Sequence, residues 1–166
     1  LAVLAAGGGP LAAVLAGIIP AFVKGELSGA IEWPGAGGRP AVILQNPEGQ
    51  ILCDGVEEEI SFFASYSNGR EARGSAAEIA EAAGLGALRA RKVHQLSYGE
   101  KQRLVAACAL WGDGERVILL DEPSAHLDDD GAERIARLLS RRKAEGSSIL
   151  LIGHDCGRFG GLIDSR

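Results

Sequence analysis

The chain of 166 residues contains little cysteine and carries no excess of positive charge. Its three cysteines, Cys53, Cys108 and Cys156, stand far apart and match no metal-ligand spacing, which favours reduced thiols over a disulfide framework. Lys and Arg number 17 against 22 Asp and Glu, and the basic clusters at 89–92 and 141–143 are short. Because binding to a nucleic-acid backbone relies on clustered basic residues, we expect no nucleic acid among the partners.

The sequence also lacks an uninterrupted hydrophobic run of membrane-spanning length. The apolar opening at 1–22 is broken by GGGP at 7–10 and again by Pro20, so a strand, a turn and a short helix explain it better. With 46% hydrophobic and 23% charged residues, the composition is that of an ordinary globular domain, and we expect one domain over residues 1–166. Any association with a membrane would then come through a partner.

Four short apolar runs predict buried strands. They lie near 1–5, 41–44, 117–121 and 148–152. The segment at 11–19 has the composition of a buried helix, and 131–146 has the apolar spacing of an amphipathic one. Strands that alternate with helical crossovers predict an α/β fold with a mostly parallel sheet.

The third predicted strand ends in two carboxylates, Asp121 and Glu122. Ligands of open parallel sheets bind at the carboxyl ends of the strands, where an acidic pair suits Mg²⁺ and a polarised water. The fourth predicted strand brings His154 to the same edge. The sequence therefore predicts a polar site at the carboxyl edge of the sheet.

Four motifs, in a specific order and spacing, resemble those of ATP-binding cassette (ABC) ATPases. QNPEGQ at 45–50 is similar to the Q-loop, LSYGE at 96–100 to the signature motif, VILLDEPSAHLD at 117–128 to the Walker B strand and D-loop, and IGHD at 152–155 to the switch histidine. The pairing of QNPEGQI with VEEEISF most resembles the ATPase subunits of energy-coupling factor (vitamin and cobalt) importers. The resemblance implies a P-loop NTPase-like α/β fold with an ABC-type helical subdomain, expected here at 63–111.

The resemblance also implies roles for individual residues. Glu122, His154 and Gln45 would be catalytic, and Asp121 with Gln45 would hold Mg²⁺. Contacts to ATP would come from the signature and D-loop residues Ser97, Tyr98, Gly99, Glu100 and Asp128. Tyr98 and Glu100 depart from the family norm LSGGQ. Locally, Ser97 and Glu100 form an S-x-x-E pattern that predicts a helix capping box, a role compatible with nucleotide contact.

The phosphate loop is the point where the sequence departs most from the family. The family's motif is G-x-x-x-x-G-K-[ST]. Its lysine position falls here on Gly8 and its hydroxyl positions fall on Gly9 and Pro10, and Gly7 precedes them. These four residues are still expected at the triphosphate, through backbone N–H groups, but without the lysine the site should be impaired. Alternatively, the glycines form only a permissive turn. A small deletion would leave the same conclusion, since no lysine precedes Lys24.

Taken together, the resemblance implies an ATP-binding and hydrolysing subunit of a membrane importer, with ATP and Mg²⁺ as cofactors. The expected partners are a second ABC ATPase subunit, in a head-to-tail nucleotide-sandwich dimer, and membrane-spanning transporter subunits at the cytoplasmic face of the membrane. Two alternatives remain open: a non-catalytic, nucleotide-responsive or structural subunit, and a soluble ABC ATPase outside transport. Since family members usually carry further strands at both ends, we expect the chain to represent a partial domain.

Overall fold

The computed structural model describes residues 2–4, 8–19, 21–26, 28–31, 40–65, 74–111, 117–154 and 157–162, and for 2–4 and 8–10 it describes the backbone alone. The strands are β1 (Ala2–Leu4), β2 (Ala41–Ile43), β3 (Val117–Asp121) and β4 (Ser148–Ile152). The helices are α1 (Gly8–Leu15), α2 (Val56–Ser65), α3 (Ala76–Ala82), α4 (Tyr98–Leu110) and α5 (Asp129–Ala144). Short 3₁₀ turns lie at Pro47–Gly49, Gly86–Leu88, Val93–Gln95 and Gly157–Leu162.

The four strands form one sheet in the order β1-β4-β3-β2, and every pairing is parallel. The predicted strands and the mostly parallel α/β architecture are confirmed. Because β4 and β3 are the central strands, the residues that follow them lie in the middle of the carboxyl edge. The residues that follow β1 and β2 flank that position on either side.

The sheet is covered on both faces, because alternate residues of a strand point to opposite sides. Ile118 and Leu120 of β3 belong to the larger core cluster, which includes residues of α4 and α5. Leu119, between them, packs in a smaller cluster with Ala12 of α1. This two-sided burial explains why the strands are continuous apolar runs rather than alternating ones.

Between β2 and β3, the first described α-helix begins at Val56, and residues 66–73 lie outside the described part of the chain. The start of α2 is fastened by Glu59, a buried carboxylate that accepts backbone N–H bonds from Leu52 (3.0 Å) and Cys53 (2.6 Å). In the described ranges, none of the helices combines the length and apolar character needed to cross a bilayer. The boundaries of a subdomain at 63–111 remain a prediction.

Candidate nucleotide site

The carboxyl ends of β3 and β4 bring Glu122 and His154 together. The backbone N–H of His154 donates to Oε1 of Glu122 at 3.1 Å, and the His154 Nε2 lies 3.8 Å from the same oxygen. Glu122 leaves the strand with a left-handed φ of 50°, and its own N–H bonds the carbonyl of Ile152 at 2.8 Å. A non-glycine residue in this region is strained and is held there by its surroundings. The structure thus places Glu122 and His154 in contact at the carboxyl edge of the sheet, and their catalytic roles remain a prediction.

Gly153 allows this arrangement because it has no side chain. A Cβ at Gly153 would lie 3.0 Å from Oε2 of Glu122 and 3.6 Å from its Cα. Any larger residue would therefore push against the carboxylate. The sequence IGHD thus contributes a glycine that accommodates Glu122 as well as a histidine that holds it.

Asp121 lies beside Glu122 at the end of β3 and is 8% exposed. Burial, and secondarily the negative charge of Glu122, raises the pKa of Asp121 above its ordinary value. A bound cation would relieve both effects. This pair suits Mg²⁺, which typically takes one or two carboxylates with substrate phosphates. Over the described ranges, His, Cys, Asp and Glu form no cluster of three or more that could hold a metal.

A cleft of about 320 Å³ lies at the start of α4. Its lining residues are Ser97, Tyr98, Gly99, Glu100, Arg103, His126 and Asp128. The structure therefore brings the predicted signature and D-loop residues together in one place. Gly99 lies against the D-loop so closely that a Cβ would be 2.8 Å from the His126 carbonyl oxygen.

The predicted capping box at the start of α4 is confirmed. The Ser97 N–H donates to Oε2 of Glu100 at 2.6 Å, and the Glu100 N–H donates to the Ser97 Oγ at 3.3 Å. This hydrogen bond from Ser97 lowers the pKa of Glu100, and the charges of Arg103 and Arg91 act in the same direction. The box uses one N–H of the first turn, so other donors of α4 remain available for an anion.

Asp128 takes part in two features of this region, the cleft and the start of α5. It lines the cleft, and its Oδ1 also accepts the Gly131 N–H at 2.8 Å as the N-cap of α5. Capping alone explains this aspartate, so a contact with ATP remains a prediction for Asp128.

The Q-loop residue Gln45 follows β2 and has an exposed side chain. Its carbonyl oxygen accepts the Tyr98 hydroxyl at 2.7 Å. No sequence pattern signals this bond, which joins residues 53 positions apart.

Two residues of this region, Gln50 and His126, make contacts that the sequence does not predict. Gln50 bonds backbone groups of β2 and of the residue that follows it: its Oε1 accepts the Leu44 N–H at 2.7 Å, and its Nε2 donates to the Val42 carbonyl at 2.9 Å. An edge strand with open backbone groups and a glutamine shortly after it is a weak signal for such a contact. His126, for which the sequence predicts no role, packs edge-on against Tyr98 with ring centroids 4.6 Å apart.

The predicted phosphate-loop residues lie at the start of α1. Gly8, Gly9 and Pro10 are its first three residues, whereas Gly7 lies outside the described part of the chain. Residues 5 and 6 also lie outside the described part of the chain. The stretch 5–10, AAGGGP, offers neither an ammonium nor a hydroxyl group. A contact between these residues and a triphosphate remains a prediction.

The sequence pattern of the family described as ABC transporter matches residues 22–125, more than half of the chain. This chain belongs to the ABC transporter family. Two curated members of that family are similar to it. The nickel import ATP-binding protein NikO of Rhodobacter capsulatus is 36% identical over 131 residues, which cover 76% of this chain and 51% of that protein. The energy-coupling factor transporter ATP-binding protein EcfA1 of Symbiobacterium thermophilum is 35% identical over 119 residues, covering 70% and 41%.

Solved ABC structures confirm the expected P-loop NTPase-like α/β fold. The chain resembles cbiO1 of Clostridium perfringens, part of the ABC transporter complex cbiONQ, with a TM-score of 0.52, 29% identity, and coverage of 69% of this chain and 46% of that one. It also resembles the archaeal ribosome recycling factor aABCE1, solved with the ribosomal stalk protein aP1, with a TM-score of 0.62, 28% identity, and coverage of 76% and 23%. The chain spans about half or less of the length of the two curated relatives above.

Proposed function

We propose that this chain is an ATP-binding subunit of an importer of the energy-coupling factor type and works as half of a head-to-tail nucleotide-sandwich dimer. The observation that carries the proposal is the convergence of Glu122 and His154 from neighbouring strands beside Asp121, because these groups suit Mg²⁺ and an attacking water. The identity with a nickel import protein and with an energy-coupling factor protein supports the importer assignment.

In this proposal the residues of the carboxyl edge divide the chemistry of hydrolysis among them. Asp121 binds Mg²⁺, with Gln45 as a further ligand, and the ion when bound neutralises charge on phosphate oxygens. Glu122 orients the water and accepts its proton. The backbone N–H of His154 holds the Glu122 carboxylate in place. The exposed His154 imidazole is free to contact a phosphate.

The signature cleft supplies the second half of the proposal. Ser97, Gly99 and the neighbouring Tyr98 and Glu100 form the start of α4, where N–H groups and the positive end of the helix dipole attract an anion. We propose that this surface, with Asp128, closes on ATP held by a second ABC ATPase subunit. Membrane-spanning subunits would then hold the dimer at the cytoplasmic face of the membrane.

In this proposal the chain's own phosphate loop is impaired. The absence of lysine and hydroxyl groups in residues 5–10 supports that view. Stabilisation of phosphoryl transfer depends almost entirely on positioning and charge, so this chain alone should turn over ATP poorly. A non-catalytic, nucleotide-responsive subunit that serves an intact partner is therefore the nearest alternative.

A soluble ABC ATPase outside transport is the other candidate. The likeness to the archaeal ribosome recycling factor favours it, since that structure superimposes with a higher TM-score than cbiO1. Co-purification separates the two: an importer subunit should be recovered from detergent extracts with membrane-spanning proteins. Recovery only in the soluble fraction, with no membrane protein bound, would contradict the importer assignment.

The phosphate loop is tested by restoring it. Mg-ATP binding and hydrolysis should be measured for three proteins. They are the unmodified chain, the double variant Gly8→Lys with Gly9→Ser, and a chain whose residues 5–9 are replaced by a full G-x-x-x-x-G-K-S loop. Because a hydrogen bond to a charged group contributes roughly 1.5–3 kcal/mol, the full loop should tighten ATP binding about 10- to 100-fold. The double substitution alone should gain less, since it supplies the lysine and the hydroxyl group without the rest of the motif.

The control is Glu122→Gln in the chain with the full loop, which should bind ATP yet lose hydrolysis by about 100-fold or more. Glu133→Gln, at an exposed position paired with Arg137, should change neither. Turnover by the unmodified chain alone at ordinary transporter rates would show that its phosphate loop is intact in function.

A further inference from the structure

The Q-loop and the signature helix are physically joined in this chain. The Tyr98 hydroxyl, from the first residue of α4, bonds the carbonyl oxygen of Gln45 at 2.7 Å. One turn further along α4, the ammonium of Lys101 pairs with the Glu48 carboxylate. Each contact bridges 53 positions of sequence. Two side chains of one helix therefore hold two points of the same loop.

The two contacts differ in how far they are shielded from solvent. In the ion pair, the Lys101 side chain is 13% exposed but the Glu48 side chain is 60% exposed, so solvent weakens the pair and Lys101 has only an auxiliary role. The Tyr98 ring packs edge-on against His126, which restricts where its hydroxyl can point. The far end of the loop is fastened separately, because Gln50 bonds both Val42 and Leu44 at the edge of β2.

We infer that Tyr98, aided by Lys101, is a positioning residue that couples residues 45–50 to the first turn of α4. Ser97 and Gly99, which line the cleft, belong to that same turn. If this turn becomes more or less ordered, the Tyr98 hydroxyl therefore transmits the change to Gln45. In the proposed dimer, on which this inference builds, the device links the nucleotide under the signature of this chain to the Q-loop at its own carboxyl edge.

Hydrogen–deuterium exchange of residues 45–50 tests the coupling without any nucleotide. Tyr98→Phe keeps the ring and removes only the hydroxyl, so exchange of these backbone N–H groups should accelerate about 2- to 10-fold, the effect expected from one hydrogen bond. Lys101→Met should act in the same direction. Unchanged exchange at 45–50 in Tyr98→Phe would overturn the inference.

Two matched controls remove bonds of the same kind elsewhere. Ser65→Ala deletes a hydroxyl that donates to the Phe62 carbonyl at 2.8 Å, and Lys92→Met deletes an exposed pair with Asp54. Both should leave exchange at 45–50 unaltered. Acceleration there in either control would show that the loop responds to general loosening, and the coupling through Tyr98 would be rejected.

A double-mutant cycle distinguishes transmission from simple anchoring. Ser97→Ala loosens the first turn of α4, so in the presence of Tyr98 it should also accelerate exchange at 45–50, by about 2-fold or more. In the Tyr98→Phe background the same substitution should add nothing at 45–50. Additive effects would overturn transmission. Because no ATP is present, a failure here stands apart from a failure to bind or hydrolyse nucleotide.

Discussion

Helices α3 and α4 begin with the same local structure in different surroundings. Ser75 and Glu78 form a capping box at α3 with N–H bonds of 2.6 and 3.3 Å, and Ser97 and Glu100 form one at α4 with the same two distances. The α4 box borders the signature cleft, whereas the α3 box does not line it. The capping pattern therefore reports a helix start, and only the neighbouring D-loop and Q-loop make one of the two starts a candidate binding surface.

The second helical position shows the difference most clearly. It is Ala77 in α3 and Gly99 in α4. At Gly99 a Cβ would lie 2.8 Å from the His126 carbonyl oxygen, so the D-loop requires the absence of a side chain there. The α3 start has an alanine at the same position.

Gly99→Ala should give the largest effect. Overpacking against a backbone oxygen costs about 1–3 kcal/mol, of which the better helix propensity of alanine returns about 0.5–1 kcal/mol. We expect a lower free energy of unfolding in urea and loss of nucleotide-dependent dimerisation, because α4 and the D-loop must move apart. The reciprocal control, Ala77→Gly, should cost about 0.5–1 kcal/mol and spare dimerisation. A Gly99→Ala protein that still dimerises with nucleotide as tightly as the original would refute the close approach.

Ser97→Ala and Ser75→Ala should come next in size. Each removes one capping oxygen and should lower the free energy of unfolding by about 0.5–2 kcal/mol, so thermal denaturation should show similar decreases in Tm. Only Ser97→Ala should also weaken ATP-dependent association with a partner that has an intact phosphate loop, by about 10-fold. Equal association of both variants would reduce Ser97 to a structural cap.

The difference between the two starts also shows what sequence patterns can reveal. The strands were predictable because both of their faces are buried, which leaves continuous apolar runs such as Val117 to Leu120. The Ser97 box and the meeting of Glu122 with His154 followed from local spacing and from strand ends at one edge. Each of these features depends on neighbours in sequence or on the parallel sheet.

Contacts that depend on tertiary approach were not predictable in this way. The bond between Tyr98 and Gln45 joins segments 53 positions apart, and no local pattern encodes their approach. Gln50 and Glu59 bond backbone groups six to eight positions away, for which the sequence gives at most a weak signal. Helix α2 begins at Val56 and has three consecutive glutamates in its first turn, which suits a helix start. One of them, Glu59, is buried. Polar residues are usually exposed, and the buried exception is visible only in the folded chain.

Glu100→Gln should have the smallest effect, and its two consequences should have opposite signs. The folded-state pKa of Glu100 lies below its unfolded value of about 4.5, so the ionised carboxylate stabilises the fold above that pH, and this contribution is lost as pH falls through the lowered pKa. Above pH 4.5 the amide should therefore be less stable by about 0.3–1 kcal/mol, the usual effect of a charge at a helix start, and the difference should vanish in acid. The same substitution removes a negative charge from the proposed phosphate surface, so ATP-dependent association should strengthen. Glu78→Gln should leave that association unchanged, and association measured for both variants at matched pH and salt decides whether the α4 start faces a phosphate.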